Sequence, residues 1–219
     1  MITVSSVGHS QVSKAESERP RGSEGSGGLT LWFTGLPGSG KSTLSRAVSQ
    51  DLDHLDDRLV TVLDGDVVRS LLSRGIGFSR LDRYENVCRI GFVASLIVRY
   101  GGIAVVAAVS PYRDARAQAR SLVEGAGGLF LEIYTDTPFA SCLARDPKGH
   151  YARALAGEIA QFTGVDDPYE KPLSPDIHIR AEHTDVAASV GLIVGFLRKR
   201  RLLMLGGRRD KARHGGQPP

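Results

Sequence analysis

With only two cysteines in 219 residues, Cys88 and Cys142, the chain has no disulfide framework, and neither thiol has neighbours at zinc-ligand spacing. No apolar run approaches the roughly 18–20 residues that a membrane span needs. The best, residues 103–109, is seven long and follows Arg99 and a glycine pair. The N-terminus lacks the charged-then-apolar pattern of a secretory signal. No segment repeats, which excludes solenoid architectures. Together these absences lead us to expect a soluble, cytoplasmic protein without membrane contact.

The core also lacks the positive charge that a sequence pI of about 9.2 suggests. From Arg198 onward eight Lys or Arg face one Asp, a local charge of +7, whereas residues 1–28 are neutral. With a total of +4, residues 29–197 carry a net −3. The basicity belongs to a C-terminal tail, read as a solvated segment, and a nucleic-acid partner is not expected. What is present is an ordinary globular mix, 41% hydrophobic and 24% charged, enough apolar material for one domain with tails.

Residues 1–28 are rich in Ser, Gly, Glu and Arg without hydrophobic period and are expected to be disordered. Order begins at residues 29–34, a short apolar, β-branched run typical of a buried strand. Further strands are expected at 60–63, 103–109, 129–134 and 177–179. Helices are expected at 41–52, 66–73, 82–100, 113–124, 138–145 and 185–203. Such alternation implies a parallel α/β sheet covered by helices on both faces, a three-layer architecture. The core then spans 29–197, followed by a basic tail at 198–219. The polar stretch 146–174, with a short helix inside it, reads as a lid.

The strongest motif is Gly35-Leu36-Pro37-Gly38-Ser39-Gly40-Lys41-Ser42-Thr43. It fits G-x-x-x-x-G-K-[ST], with a strand before it and a helix after it, as a P-loop requires. The glycines let backbone N–H groups close around phosphate oxygens, and the helix points its positive end at the same anion. Lys41 is expected at the β- and γ-phosphates of ATP and Ser42 at Mg²⁺. A GTPase would carry an Asn-Lys-x-Asp guanine reader, which the chain lacks. Its one D-x-x-G match, Asp146 to Gly149, follows a helix instead of a strand. A small core with a lid favours a kinase for a small molecule.

Beyond the loop, the chain carries Leu63-Asp64-Gly65-Asp66 with Arg69, then Gly77-Phe78-Ser79 with Asp82, Arg83, Glu85 and Asn86. Ser110-Pro111-Tyr112-Arg113 and Asp136-Thr137-Pro138 follow the third and fourth strands. Arg145 to Gly149, Gly157-Glu158-Ile159, Phe162-Thr163-Gly164 and Pro168-Tyr169-Glu170 complete the set. In this order the segments resemble the adenylylsulfate kinase family of P-loop kinases, from about Leu29 to Ile179. The resemblance implies ATP-dependent phosphorylation of the 3′-hydroxyl of adenylylsulfate. It further implies a homodimer and association with ATP sulfurylase.

Read on their own chemistry, Asp64 and Asp66 end a strand beside the phosphate loop, where ligands bind in open α/β sheets. One suits Mg²⁺ or its waters, and we assign Asp64 to it with Ser42; the other suits a proton from the attacking hydroxyl. A pair of turn-forming Asp around Gly65 is the structural alternative. Arg69, Arg83 and Arg113 offer forked donors to a phosphosulfate. Phe78 and Phe162 are candidates to sandwich an adenine, with core packing as the rival reading. By resemblance, Asn86 lies near that base. Arg145, Lys148 and Arg153 lie in the lid-like stretch and are candidates to close over the ATP phosphates, with a solvated loop as the rival reading. In bacterial members the serine matching Ser110 is assigned as a phosphorylated intermediate. The motif itself contains no His or Lys to activate it, so substrate positioning, covalent catalysis and a structural hydroxyl all remain open. The chain departs from the family where Cys88 replaces an Arg. The lid segment from Tyr151 to Glu158 also lacks two cations, and Ala160 or Gln161 replaces a third. A small kinase for a nucleoside, sugar or shikimate-like acid, and a non-catalytic nucleotide-binding regulator, are the competing readings.

Overall fold

The computed structural model describes residues 27–181 and 184–204. Most of the N-terminal segment expected to be disordered, and the end of the basic tail, lie outside the described residues. In chain order the elements are β1 (Leu29–Thr34), α1 (Lys41–Leu55), β2 (Val60–Asp64), α2 (Gly65–Leu71), α3 (Arg80–Arg99), β3 (Ile103–Ala107) and α4 (Arg113–Gly125). They continue with β4 (Leu129–Asp136), α5 (Phe139–Arg145), α6 (His150–Leu155), β5 (Ile177–Arg180) and α7 (Val186–Lys199). The five strands form one parallel sheet in the order β2-β3-β1-β4-β5. This is the α/β sheet of a P-loop NTPase, with helices on both faces.

Strand β1 lies at the centre and every residue in it is buried, so its period-two alternation feeds two cores. Leu29, Leu31 and Phe33 pack with Leu44, Val48 and Leu52 of α1 and Ile193 and Leu197 of α7. Trp32 turns the other way, stacks on Phe130 at 5.4 Å, and joins Val87, Ile90, Ala115 and Ala119 of α3 and α4. A Cβ on Gly91 would stand 2.8 Å from the Ala119 Cα, so glycine is what lets α3 cross α4 this closely. Because all five strands are parallel, the segments after β1, β2, β3 and β4 leave the same edge of the sheet, the edge at which such folds bind ligands.

Several expected boundaries move: α1 runs to Leu55 instead of 52, and α7 ends at Lys199 instead of 203. The third strand stops at Ala107 instead of Val109, because the backbone bends into a loop in which Ser110 adopts φ 40. At the C-terminus, packing continues past residue 197. Leu202 and Leu203 rest against the first core, and Met204 N–H donates to Asp56 Oδ2 at 3.0 Å. No helix among the described residues is long and apolar enough to cross a membrane.

Candidate active site

The phosphate loop is shaped by three glycines with positive φ: Gly35 at 153°, Gly38 at 74° and Gly40 at 98°. Gly35 is irreplaceable on space alone, since a Cβ there would meet Thr135 Oγ1 at 2.4 Å. Three hydrogen bonds tie the loop to β4 and to the segments C-terminal of it. Ser39 Oγ meets Thr135 Oγ1 (2.9 Å), Thr137 Oγ1 donates to the Ser39 carbonyl (2.9 Å), and Tyr151 Oη donates to the Pro37 carbonyl (3.0 Å). No side chain caps α1, whose first turn therefore offers N–H groups to an anion. Ser42 is half-buried and Thr43 exposed at this turn.

Lys41 is buried, and its ammonium donates to the carbonyls of Gly35 (3.0 Å) and Leu36 (2.7 Å). Burial lowers its pKa to about 8, against the pull of nearby Asp66 and Asp64. The Cys142 thiol lies close by on α5, fully buried, and burial pushes its pKa up, so it remains a neutral neighbour. Arg145, in the last turn of the same helix, is exposed.

Asp64 and Asp66 occupy the turn from β2 into α2. Asp64 caps α2 by accepting the Asp66 N–H at 3.0 Å, and Arg46 approaches its carboxylate to 3.8 Å. Its turn-forming role is therefore real, and its half-buried carboxylate still faces the head of α1 through Arg46. Asp66 is exposed and forms an ion pair with Lys148, which follows α5 in the lid stretch. The stretch after α5 thus reaches across to the first turn of α2.

On the other side of α2, Arg69 donates to the carbonyls of Ile76 and Gly77 and lays its guanidinium 4.4 Å from the Phe78 ring centre. Ser79 and Asp82 form a reciprocal capping box that starts α3 directly after Phe78. One turn on, Arg83 donates to the Phe78 carbonyl at 2.9 Å and to the Gln161 carbonyl. That bridge draws together the segments carrying Phe78, which is half exposed, and Phe162, which packs edge-on against Tyr151 at 5.0 Å. Asn86, three residues further on the same helix, is buried, and its Oδ1 has no hydrogen-bond partner among the described residues. Arg113 stands apart from this group. Its Nε donates to the Lys171 carbonyl and its backbone N–H to Glu170, so it anchors the lid's exit instead of joining Arg69 and Arg83.

Several residues that hold the site together escaped sequence reasoning. Asp166 accepts the N–H groups of Gln161 and Phe162, both at 2.6 Å, and these bonds hold its carboxyl below the usual range. Asp167 accepts from Tyr112 Oη at 2.6 Å and lies 3.6 Å from Arg83. Burial and that hydrogen bond push Tyr112 up to about 12, so the phenol keeps its proton as donor. Both carboxylates stand directly before Pro168-Tyr169-Glu170; Asp166 closes a local turn, whereas the partners of Asp167 lie far away in sequence. Ser110 is buried; its Oγ accepts from Trp32 Nε1 at 3.0 Å and lies 3.1 Å from Thr34 Oγ1.

A sequence profile described as adenylylsulphate kinase matches residues 27–180. The chain is 52% identical over 179 residues to the adenylyl-sulfate kinase of Myxococcus xanthus, covering 81% of this chain and 95% of that one. It is 48% identical over 167 residues to that of Gloeothece citriformis, covering 76% and 92%. Among solved structures, the Mycobacterium tuberculosis APS kinase in complex with AMPPNP and APS superposes with a TM-score of 0.75 at 41% identity, covering 80% of this chain and 99% of that one. A Sinorhizobium meliloti gluconokinase, 17% identical with a TM-score of 0.51 and covering 80% and 93%, shares the fold alone. With this profile match over residues 27–180 and these identities over most of both chains, the chain belongs to the adenylylsulfate kinase family.

Proposed function

We propose that the protein transfers the γ-phosphoryl group of ATP to the ribose 3′-hydroxyl of adenylylsulfate, giving 3′-phosphoadenylylsulfate and ADP. The observation that carries this reading is the Arg83 bridge. It ties the Phe78 carbonyl to the Gln161 carbonyl next to Phe162, from the helix that also carries Asn86. The Asn86 Oδ1 lacks a partner among the described residues, and together these features support a purine clamp between the two rings. The Myxococcus and Gloeothece relatives support the same activity.

In this reading the N–H groups of residues 35–43 cradle the β- and γ-phosphates, and Lys41 exchanges its loop carbonyls for phosphate oxygens as charge builds on the transferring group. Arg145 and Arg153 extend positive charge toward the same phosphates. Arg69 and Arg83 answer the phosphosulfate, and Asn86 pairs with the adenine edge. Asp66 accepts the proton of the attacking hydroxyl, with Lys148 orienting its carboxylate. The Ser42 hydroxyl and the Asp64 carboxylate are hard oxygen donors of the kind Mg²⁺ takes alongside waters and phosphates, so the residues fit that ion. When bound, Mg²⁺ supplies charge neutralisation between the phosphates. Ser110 positions substrate through its loop.

A second copy of the chain is part of the same reading, since Phe92 and Leu96 on α3 leave apolar surface exposed. A cytoplasmic location, where ATP is the available donor, belongs to it as well. The test is ADP formation from MgATP with adenylylsulfate, compared with a panel of nucleosides and sugars. ADP released only with adenylylsulfate supports the proposal. Equal turnover of a sugar would assign a different acceptor, and no turnover with any acceptor would leave a nucleotide-binding regulator.

A further inference from the structure

We propose that Arg116 of α4 is a positioning residue for the acceptor: its guanidinium locks the Ser110 loop to the exit of the lid. The inference rests on the kinase reading above. Arg116 is 3% exposed, the most buried arginine among the described residues. Its Nε donates to Glu132 Oε1 at 2.6 Å, Nη1 to the Ser110 carbonyl at 2.7 Å, and Nη2 to the Glu170 carbonyl at 2.8 Å. The last two acceptors belong to segments 60 positions apart in sequence: the loop after β3 and the end of the lid stretch.

The two segments meet at several further points. Glu170 N–H donates to the Pro111 carbonyl at 2.8 Å, and the Tyr169 ring lies 5.9 Å from the guanidinium. Tyr169 Oη hydrogen-bonds Thr34 Oγ1 at 2.9 Å, the same hydroxyl that meets Ser110 Oγ. Ser110 itself sits at φ 40, a conformation that a non-glycine residue holds only when its surroundings impose it. A planar fork satisfies three acceptors spread around it in fixed directions, whereas an ammonium on a flexible stem does not. An ion pair with Glu132 alone would need one edge of the guanidinium. The remaining edge is committed to two carbonyls at the sheet edge where the acceptor is proposed to bind.

The experiment compares the parent with Arg116→Lys, Glu132→Gln and Tyr169→Phe. Each is assayed for KM of adenylylsulfate and of MgATP, for thermal unfolding, and for tryptophan emission. Trp32 is the chain's single tryptophan, and its indole N–H donates to Ser110 Oγ, so its emission reports the loop directly. Arg116→Lys is expected to raise the KM for adenylylsulfate tenfold or more, leave that for MgATP within threefold, and shift Trp32 emission. Glu132→Gln, which keeps both carbonyl contacts, is expected to lower the unfolding temperature with both KM values within threefold. An Arg116→Lys variant with parental KM values and parental emission would overturn the proposal, whatever its unfolding temperature. Should that variant not fold, Tyr169→Phe decides: a raised acceptor KM supports the lock, and an unchanged one overturns it. A parent without adenylylsulfate turnover would refute the kinase reading instead, and the emission shift alone would then judge Arg116.

Discussion

Lys41 is a charged group held by its own loop, and its two carbonyl contacts show how the ammonium is kept buried at the head of α1. Removing it in Lys41→Ala takes away the charge that answers the transferring phosphoryl group. A preorganised electrostatic contact of this kind contributes about 3–4 kcal/mol, so turnover should fall at least a hundredfold with an unchanged circular dichroism spectrum. Activity above about a tenth of the parent would contradict the role. The pKa near 8 adds a pH signature. MgATP binding to the free protein should weaken as pH rises through about 8, because the ammonium loses its proton. Folding responds in the opposite sense. The folded value lies below the ordinary lysine value of 10.5, so the cost of burying the charge is full below pH 8 and relieved as pH rises toward 10.5. Ser110 offers a different test. Its hydroxyl is hydrogen-bonded to Trp32, Thr34 and the Ala108 carbonyl, none of them a base. Ser110→Ala is therefore expected to retain partial activity, with inversion at a chiral γ-phosphate in the parent. Net retention together with complete loss in the variant would mean a phosphoserine intermediate.

At the scale of elements, Arg83 joins the lead-in to α3 to the Gln161-Phe162 segment, and in the proposed reading these two segments form the base clamp. Phe162→Ala should raise the KM for adenylylsulfate by about ten- to a hundredfold, since stacking a base contributes ~1–3 kcal/mol, and leave that for MgATP near parental. Equal effects on both substrates would mean that Phe162 serves the lid's packing against Tyr151 and not the base. The phosphate loop was legible in the sequence because its chemistry is local: glycines, lysine and serine act through a backbone turn that they themselves form. The strands were legible for the same reason, as short apolar runs at the right intervals. The contacts of Arg113 were not legible because helix position says nothing about which distant segment a long side chain meets; here it meets the Glu170-Lys171 segment. Arg116 and Asp167 carried no local signal either. Each is a charge in a polar stretch until folding brings the lid's end onto the loop after β3. The strand after α3 looked longer than it is, because Ala108 and Val109 remain apolar where the backbone has already begun to bend.

At the scale of the whole molecule, the segment 202–204 is fastened to the side of the sheet away from the site. Arg58 pairs with Asp56 at 2.7 Å and also donates to the Leu202 carbonyl, while Met204 N–H reaches Asp56. Burial pushes the Asp56 carboxyl up, but the bonds from Arg58 and Met204 outweigh it and hold the pKa below the usual range. The stability this contributes is present above the ordinary carboxylate pKa and is lost as pH falls through the depressed folded value. Breaking such a buried pair leaves an uncompensated charge, so Arg58→Ala should cost about 3–5 kcal/mol in denaturant unfolding. A loss below about 1 kcal/mol would show that the clamp is dispensable. Truncation after Met204 removes much of the basic tail and should leave both stability and turnover near parental. Truncation before Leu203 also removes the Met204 contacts and should lower the unfolding temperature.

The central claim is the identity of the acceptor atom, and the product itself tests it most directly. The protein is incubated with γ-labelled ATP and adenylylsulfate, and the labelled product is resolved and its phosphate position assigned by phosphorus NMR. The predicted result is one label per ADP formed, on the ribose 3′-oxygen of adenylylsulfate. Label released as inorganic phosphate, or carried on any other position or acceptor, would contradict it.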